Sequence, residues 1–375
     1  RPIGVDLGQM LDPDRRAALV TCTPAGNVDA ACTSEVLAAF GRRAWRRSLT
    51  ETELTALTDI AVAAETTLDD FDGGLSFGLA ALLQSPYFLF RPELGEADPA
   101  GGGTLRYTSQ EMAARLSYFL WDGPPDATLL DAAAAGALVT EGGLREQVTR
   151  MLDDDKARRG MRAFFSDMLE LDELDDLTKD PLVYVYMSEG LGASAREQTL
   201  ADAETLVFDE DVDFRGFLTA TDTHLDRTLA ALYDVPAPER DGFGATTLPE
   251  SGGRRGFLGQ ASFLALQSHA TSTSVTRRGQ FIREVLLCQT LPSPPAGLNT
   301  AIPEATDELR TMRERVDQHL EDPSCAGCHV AMDPIGLGLE NFDGVGRWRS
   351  EENGASIDPS GELDGVGFAD AWELG

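Results

Sequence analysis

Residues 325 to 329 read CAGCH, which puts two of the chain's five cysteines and one of its four histidines into five consecutive positions. Two thiols three residues apart, followed directly by an imidazole, match the C-x-x-C-H attachment signature of c-type haem. In that chemistry both thiols add to porphyrin vinyl groups and the histidine binds iron. The spacing has a geometric reason: residues three and four apart share one helix face, so Cys325, Cys328 and His329 can approach one macrocycle from a single turn. The main rival is zinc, for which a C-x-x-C pair is half of a structural site and needs a second pair or two histidines. No second pair exists, Cys288 is single, and His224, His269 and His319 follow no zinc-module spacing. A thioredoxin-like redox pair would need a βαβ context that the surrounding sequence lacks. Haem c, with its iron, is therefore the expected cofactor.

The elements that must position this turn are helical. Apolar residues return at three and four positions along most of the chain, and alternating runs are few, so a mainly α protein is expected. A first helix is predicted from Cys32 to Trp45. Thr50 with Glu53, and Thr108 with Glu111, match capping boxes at the starts of later helices. SFGLAALLQSPYFLF, from Ser76, predicts a largely buried apolar helix, and the glycine-rich Glu96 to Thr104 stretch predicts a linker. LREQVTRMLDDDKARRGMRAFFSDMLEL reads as two helices broken near DDDK, with another around AREQTLADAETLVF. Two helices are expected around the irregular SHATSTS loop, then an extended polyproline-like path over LPSPPAGLN. The charged helix TDELRTMRERVDQHLED leads into CAGCH, and the polar tail after it predicts no terminal element. The expected divisions are 1–95 as a small helical domain, 105–240 as a central helical domain, and 252–375 as the haem domain with its tail.

Composition narrows the partners. Lys and Arg number 31 against 63 Asp and Glu, for a formal charge of -32. Such a surface repels phosphate backbones and anionic lipid, which excludes nucleic acid as an expected partner and favours a basic protein. No apolar run reaches the roughly 20 residues that span a bilayer. Cys22 and Cys32 are close enough in sequence to close a small disulfide loop in an oxidising compartment, leaving Cys288 over; three buried reduced thiols are the alternative. The chain starts at Arg1 with no signal pattern, so a processed or incomplete amino terminus is expected.

DPSCAGCHVAMDPIGLGLENFDGVGRWR, residues 322 to 349, closely resembles the haem-attachment region of planctomycete-type cytochrome c domain proteins, which are also frequent in myxobacteria. RRGFLGQASFLALQSHATSTSVTRRGQFIREVLLCQTLPSPP resembles the start of the same domain. ARLSYFLWDGPPDATLLDAAAAGAL is similar to the family's central helical domain, and CTSEVLAAFGRRAWRRSLTETEL to its preceding small one. The resemblance implies two small helical domains followed by a cytochrome c-like monohaem domain. It also implies a secreted protein of which this chain is an interior portion, part of a larger assembly.

His329 is the expected proximal ligand. Met332 is the last methionine and no histidine follows His329, so a distal ligand must come from upstream. The resemblance singles out His269, in the SHATSTS loop, and then His319; Met312 follows, and an open iron is the remaining alternative. His319 has competing roles as a helix cap or a propionate contact, and His224 reads as an ordinary core or surface histidine. Arg347 and Trp348, beside Arg349, are candidate cofactor contacts because arginine pairs with carboxylates such as propionates, although a structural role explains them, Arg277 and Arg278 equally well. Asp358, Glu362 and Asp364 read as a solvated acidic loop, since they miss the EF-hand pattern. No serine or cysteine nucleophile motif and no phosphate-binding glycine loop appears. The expected function is one-electron transfer in the periplasm or outside the cell, with a redox partner protein. The alternatives are a peroxidase- or oxygenase-like haem enzyme with an open sixth position, and a binding or structural protein with an accessory haem.

Overall fold

A computed structural model describes residues 13–209, 213–292, 302–320 and 323–375, apart from the side chains of residues 323–325 and 328. The molecule is mainly helical, and the strands among the described residues form four two-stranded antiparallel ribbons. The chain divides into two compact units, residues 1–161 and 162–375. None of the described helices is long and apolar enough to cross a membrane. The polyproline path expected over LPSPPAGLN lies outside the described residues from residue 293 onward.

In the first unit a short helix α1 (Pro13–Leu19) precedes α2 (Ala30–Ala44), α3 (Glu51–Leu68) and α4 (Phe71–Leu83). The start of α2 is set by Asp29, whose carboxylate accepts the Ala31 and Cys32 amides. At the start of α3, Thr50 and Glu53 form the expected capping box. Val36, Leu37, Leu57, Ala61, Leu75, Leu79 and Leu82 make the shared core. α3 and α4 approach closely at Gly74, where a Cβ would collide with the Glu65 backbone. The Glu65 carboxylate is buried there, accepting the Thr33 hydroxyl and the Asp29 amide. Such a charge is tolerated inside because its oxygens are hydrogen-bonded.

The apolar helix expected to run through Phe90 stops at Leu83. Pro86 cannot continue a helix, so Ser85 caps a separate short turn α5 (Pro86–Leu89). Burial is correspondingly incomplete: Phe88, Leu89 and Phe90 are all exposed, Phe90 at 67%. The glycine-rich stretch is also more ordered than a linker, because β1 (Glu96–Ala97) pairs with β2 (Leu105–Arg106) across it. Beyond it come α6 (Ser109–Trp121), capped by Thr108 and Glu111 as expected, α7 (Ala127–Ala134) and α8 (Glu141–Leu152). α9 (Asp155–Met168) starts at the last aspartate of the DDD break and runs past residue 161.

The second unit continues with α10 (Leu191–Glu204), α11 (Gly216–Thr219) and α12 (Arg227–Tyr233), with β3 (Asp222–Leu225) paired to β4 (Gly244–Thr247). A buried polar network joins α10 to β3: Asp202 accepts from Thr223, Gln260, and the His224 backbone and Nδ1. A run of phenylalanine rings, Phe165, Phe214, Phe217, Phe257, Phe263 and Phe281, packs through the unit with neighbouring centroids 5.2 to 5.8 Å apart. α13 (Ala261–Leu266) and α14 (Val275–Phe281) flank the SHATSTS loop as predicted. α15 (Met312–His319) starts later than expected because Thr311 and Glu314 form a capping box. α16 (Pro323–Leu337) carries CAGCH. The turn-rich tail does carry elements, including a terminal one that was not expected: β5 (Glu351–Glu352) pairs with β6 (Ala355–Ser356), β7 (Gly361–Leu363) with β8 (Val366–Phe368), and α17 (Ala371–Leu374) follows.

Cys22 and Cys32 form a disulfide with Cα atoms 5.7 Å apart, while Cys288 is free and exposed. Closing so short a loop stabilises mainly by restricting the unfolded chain. Replacing both cysteines by serine is expected to lower the stability of the first unit by roughly 2–3 kcal/mol, measured by denaturant unfolding of the two proteins under non-reducing conditions.

Candidate functional site

Two helices build the site, α14 and α16. They cross backbone to backbone because each contributes a glycine at the contact. A Cβ on Gly279 would collide with the Met332 carbonyl, and one on Gly336 with the Val275 carbonyl. The absence of a side chain at these two points is what allows the approach. Val275, Met312, Val316 and Leu337 close the apolar cluster around the crossing, bringing α15 onto the same pair.

This crossing brings Thr276 of α14 against the face of α16 that presents His329 and Asp333. The Nδ1–H of His329 donates to Asp333 Oδ2 at 2.8 Å, while the Thr276 hydroxyl donates to Asp333 Oδ1 at 2.7 Å and lies 3.3 Å from Nδ1. The His329 side chain is 15% exposed and that of Asp333 only 1%. The hydrogen bond from His329 to Asp333 raises the histidine's pKa, outweighing the opposing effect of partial burial. Nδ1 is thereby committed, and Nε2 is the nitrogen available for another partner. Asp333 was not singled out from the sequence, although its i+4 position relative to His329 was a signal: that spacing puts both on one helix face.

The other sequence candidates fall in several places. His319, on α15, meets His329 edge to face with ring centroids 4.9 Å apart. Its Nε2 is buried with no hydrogen-bond partner among the described residues. His269 is exposed in the loop before α14, its amide bonded to Ser272 and its carbonyl accepting from Lys179 Nζ at 3.0 Å. Desolvation, then Arg277 and Lys179, lower the His269 pKa. Lys179 is itself pushed down to about 8 by burial and by Arg278 and Arg277. Met312 packs in the apolar cluster. His224 serves the Asp202 network.

Arg278 is a structural staple. Fully buried, it donates to the carbonyls of Leu339, Phe342 and Asp343 and to Ser268 Oγ, and it faces Glu340 at 3.3 Å. It thus fixes the chain leaving α16. Arg347 lies 3.8 Å from the Tyr186 ring centroid and donates to the Ala231 and Leu232 carbonyls. Trp348 packs edge-on to Phe342, 5.3 Å between centroids, and is 41% exposed. Of the acidic tail residues, Asp358 lies 3.5 Å from Arg313 and Asp364 pairs with Arg283 at 2.9 Å; no group of three metal-ligating side chains occurs among the described residues.

Three family models match the chain. One described as "PSCyt3: Protein of unknown function (DUF1588)" covers residues 254–352. "PSD4: Protein of unknown function (DUF1592)" covers 107–235, and "PSD5: Protein of unknown function (DUF1595)" covers 32–93. All three are planctomycete cytochrome-c-type domain families. No curated protein and no solved structure matches. The PSCyt3 match contains CAGCH, Thr276 and Asp333, so the helix crossing and the motif lie in one matched segment.

The donor set fits the proximal side of a haem iron. An imidazole whose Nδ1 is held by a buried carboxylate has a fixed tautomer and a more basic Nε2, and a second imidazole nitrogen is buried nearby without a partner. In haem-free protein the His329–Asp333 pair stabilises the fold fully below the ordinary histidine pKa of about 6.5, and that contribution is lost as pH rises through the raised value. Asp333→Asn is expected to bring the His329 pKa back down and narrow this window, as read from histidine ring NMR titration and pH-dependent unfolding of the haem-free protein.

Proposed function

We propose that the chain is a c-type cytochrome that carries one haem on Cys325, Cys328 and His329 and passes single electrons outside the cytosol. The observation that carries this reading is the C-x-x-C-H motif on one helix, with His329 Nδ1 already committed to Asp333. When bound, haem would supply the Fe(III)/Fe(II) couple. His329 would hold iron through Nε2, and Asp333 fixes that nitrogen's orientation. Thr276 keeps the Asp333 carboxylate in place, and the close crossing of α14 shields the pair from water.

The compartment belongs to the same proposal. Thioether attachment follows export, and the Cys22–Cys32 disulfide suits an oxidising environment such as the periplasm or the cell exterior. With a formal charge of -32, the protein would meet a basic redox partner at a rate that falls with added salt. Within a larger secreted assembly the same charge would favour solubility. The pyridine haemochrome spectrum and intact mass of protein made with a haem-ligation system test the reading: a c-type spectrum and one covalent haem are expected. Both should disappear in the Cys325→Ala, Cys328→Ala variant. Bare polypeptide mass in the parent protein would end this reading.

A second reading, a haem enzyme with an open sixth position, is favoured by one observation: an anionic carboxylate behind His329 strengthens the ligand's electron donation and favours oxidised iron. Between the two, we assign the distal position to His269, an exposed imidazole in the loop before α14, ahead of His319. A low-spin spectrum with slow carbon monoxide binding is expected, becoming high-spin in His269→Ala and staying low-spin in His319→Ala. Rapid carbon monoxide binding to the parent protein would favour the enzyme instead.

A further inference from the structure

The first unit contains a cavity of about 860 Å³ where α2, α5 and α6 adjoin, in the range of small-molecule sites. Its charge runs against the rest of the molecule. Four arginines line it, with Glu93 and Glu111 as the lining carboxylates. Both carboxylates are occupied: Glu93 by Arg115 at 2.8 Å, and Glu111 by the amides of Leu94, Gly95 and Thr108. Arg47 is neutralised by two bonds to Glu53, at 2.7 and 2.9 Å.

Arg46 and Arg91 have no carboxylate partner among the described residues. Arg46 is only 6% exposed and holds a left-handed backbone, φ 58°. Its guanidinium donates to the carbonyls of Ala44, Tyr87 and Phe90, which uses three of its N–H donors and leaves its charge uncompensated. Arg91 lies 4.2 Å from the Tyr118 ring centroid, and Arg46 lies 6.0 Å from the same ring. A buried guanidinium without a counter-ion is costly, and a protein with a formal charge of -32 does not lack carboxylates to supply one. Beside this pair Trp45 and Tyr87 are in tilted contact, 5.2 Å between centroids, and the 79% exposed ring of Phe119 adds apolar surface to the lining.

We infer that this cavity binds a ring-bearing carboxylate, the acid group held by Arg46 and Arg91 and the ring lying against the aromatic side chains. A guanidinium pair matches a carboxylate through charge-assisted bonds, and flat aromatic faces take a ring by stacking. The shared chemistry could come from an acidic sugar or from an aromatic acid. The site lies outside the segment that carries CAGCH and is independent of the haem reading.

Calorimetric titration of the full chain with trigalacturonate, with 4-hydroxybenzoate and with neutral galactotriose tests the inference. Binding of at least one of the two acids is expected, with the tighter one naming the source, and the neutral trisaccharide should bind at least tenfold more weakly. Arg91→Gln, which removes only a cation–π contact, should weaken acid binding tenfold or more. Arg46→Lys, which keeps the charge but loses the guanidinium's remaining donors, should weaken it too, provided its circular dichroism spectrum matches the parent. Failure of both acids to bind, equal binding of the neutral sugar, or unchanged affinity in folded Arg91→Gln would each overturn the inference.

Discussion

The crossing of α14 over α16 is the constraint on which the candidate site depends. Gly279 and Gly336 let the two backbones touch, and that contact places the Thr276 hydroxyl within reach of Asp333. Were either glycine larger, the helices would separate and the carboxylate would lose one of its donors. An interior packed at crystal-like density transmits such a shift instead of absorbing it. The second donor to the carboxylate that orients His329 is therefore set by two residues that carry no side chain at all.

A second layer of order comes from buried charge. Arg278 ties the turn after α16 to α14, and Glu340 opposite it also accepts from Thr273 and Arg349. A buried pair of this kind contributes little net stability unless its remaining hydrogen bonds are made. Here most are made, and the gain is in specificity: the carbonyls of residues 339, 342 and 343 can all meet the guanidinium in only one path of the chain. The Asp202 network does the same for β3 and α10. In both places polar groups fix geometry that apolar packing alone would leave looser.

Much of this was legible in the sequence where the signal is local. Thr50 with Glu53 and Thr108 with Glu111 announce helix starts because a capping box involves residues only three apart. CAGCH is legible for the same reason. Elsewhere the signal was present but unread: Pro86 ends the apolar helix, and Asn353-Gly354 and Asp364-Gly365 are the two-residue turns that favour tight hairpins. Both turns have positive φ at each residue, and each joins a pair of short tail strands. The contact of His319 with His329, the burial of Arg278 and the pairing of Arg46 with Arg91 over Tyr118 join residues far apart or dependent on helix packing. No pattern along the chain encodes them.

A chain that closes Cys22 onto Cys32 and, on the proposed reading, reserves Cys325 and Cys328 for a porphyrin meets two opposed thiol fates during its biogenesis. An oxidant able to form the first bond would also join the second pair, and sulfur held in a disulfide cannot add to a vinyl group. Maturation would then call for a reductant acting late and locally near the carboxyl-terminal motif while the amino-terminal bridge survives. The yield of finished protein would depend on the timing of those two events more than on how fast the polypeptide folds.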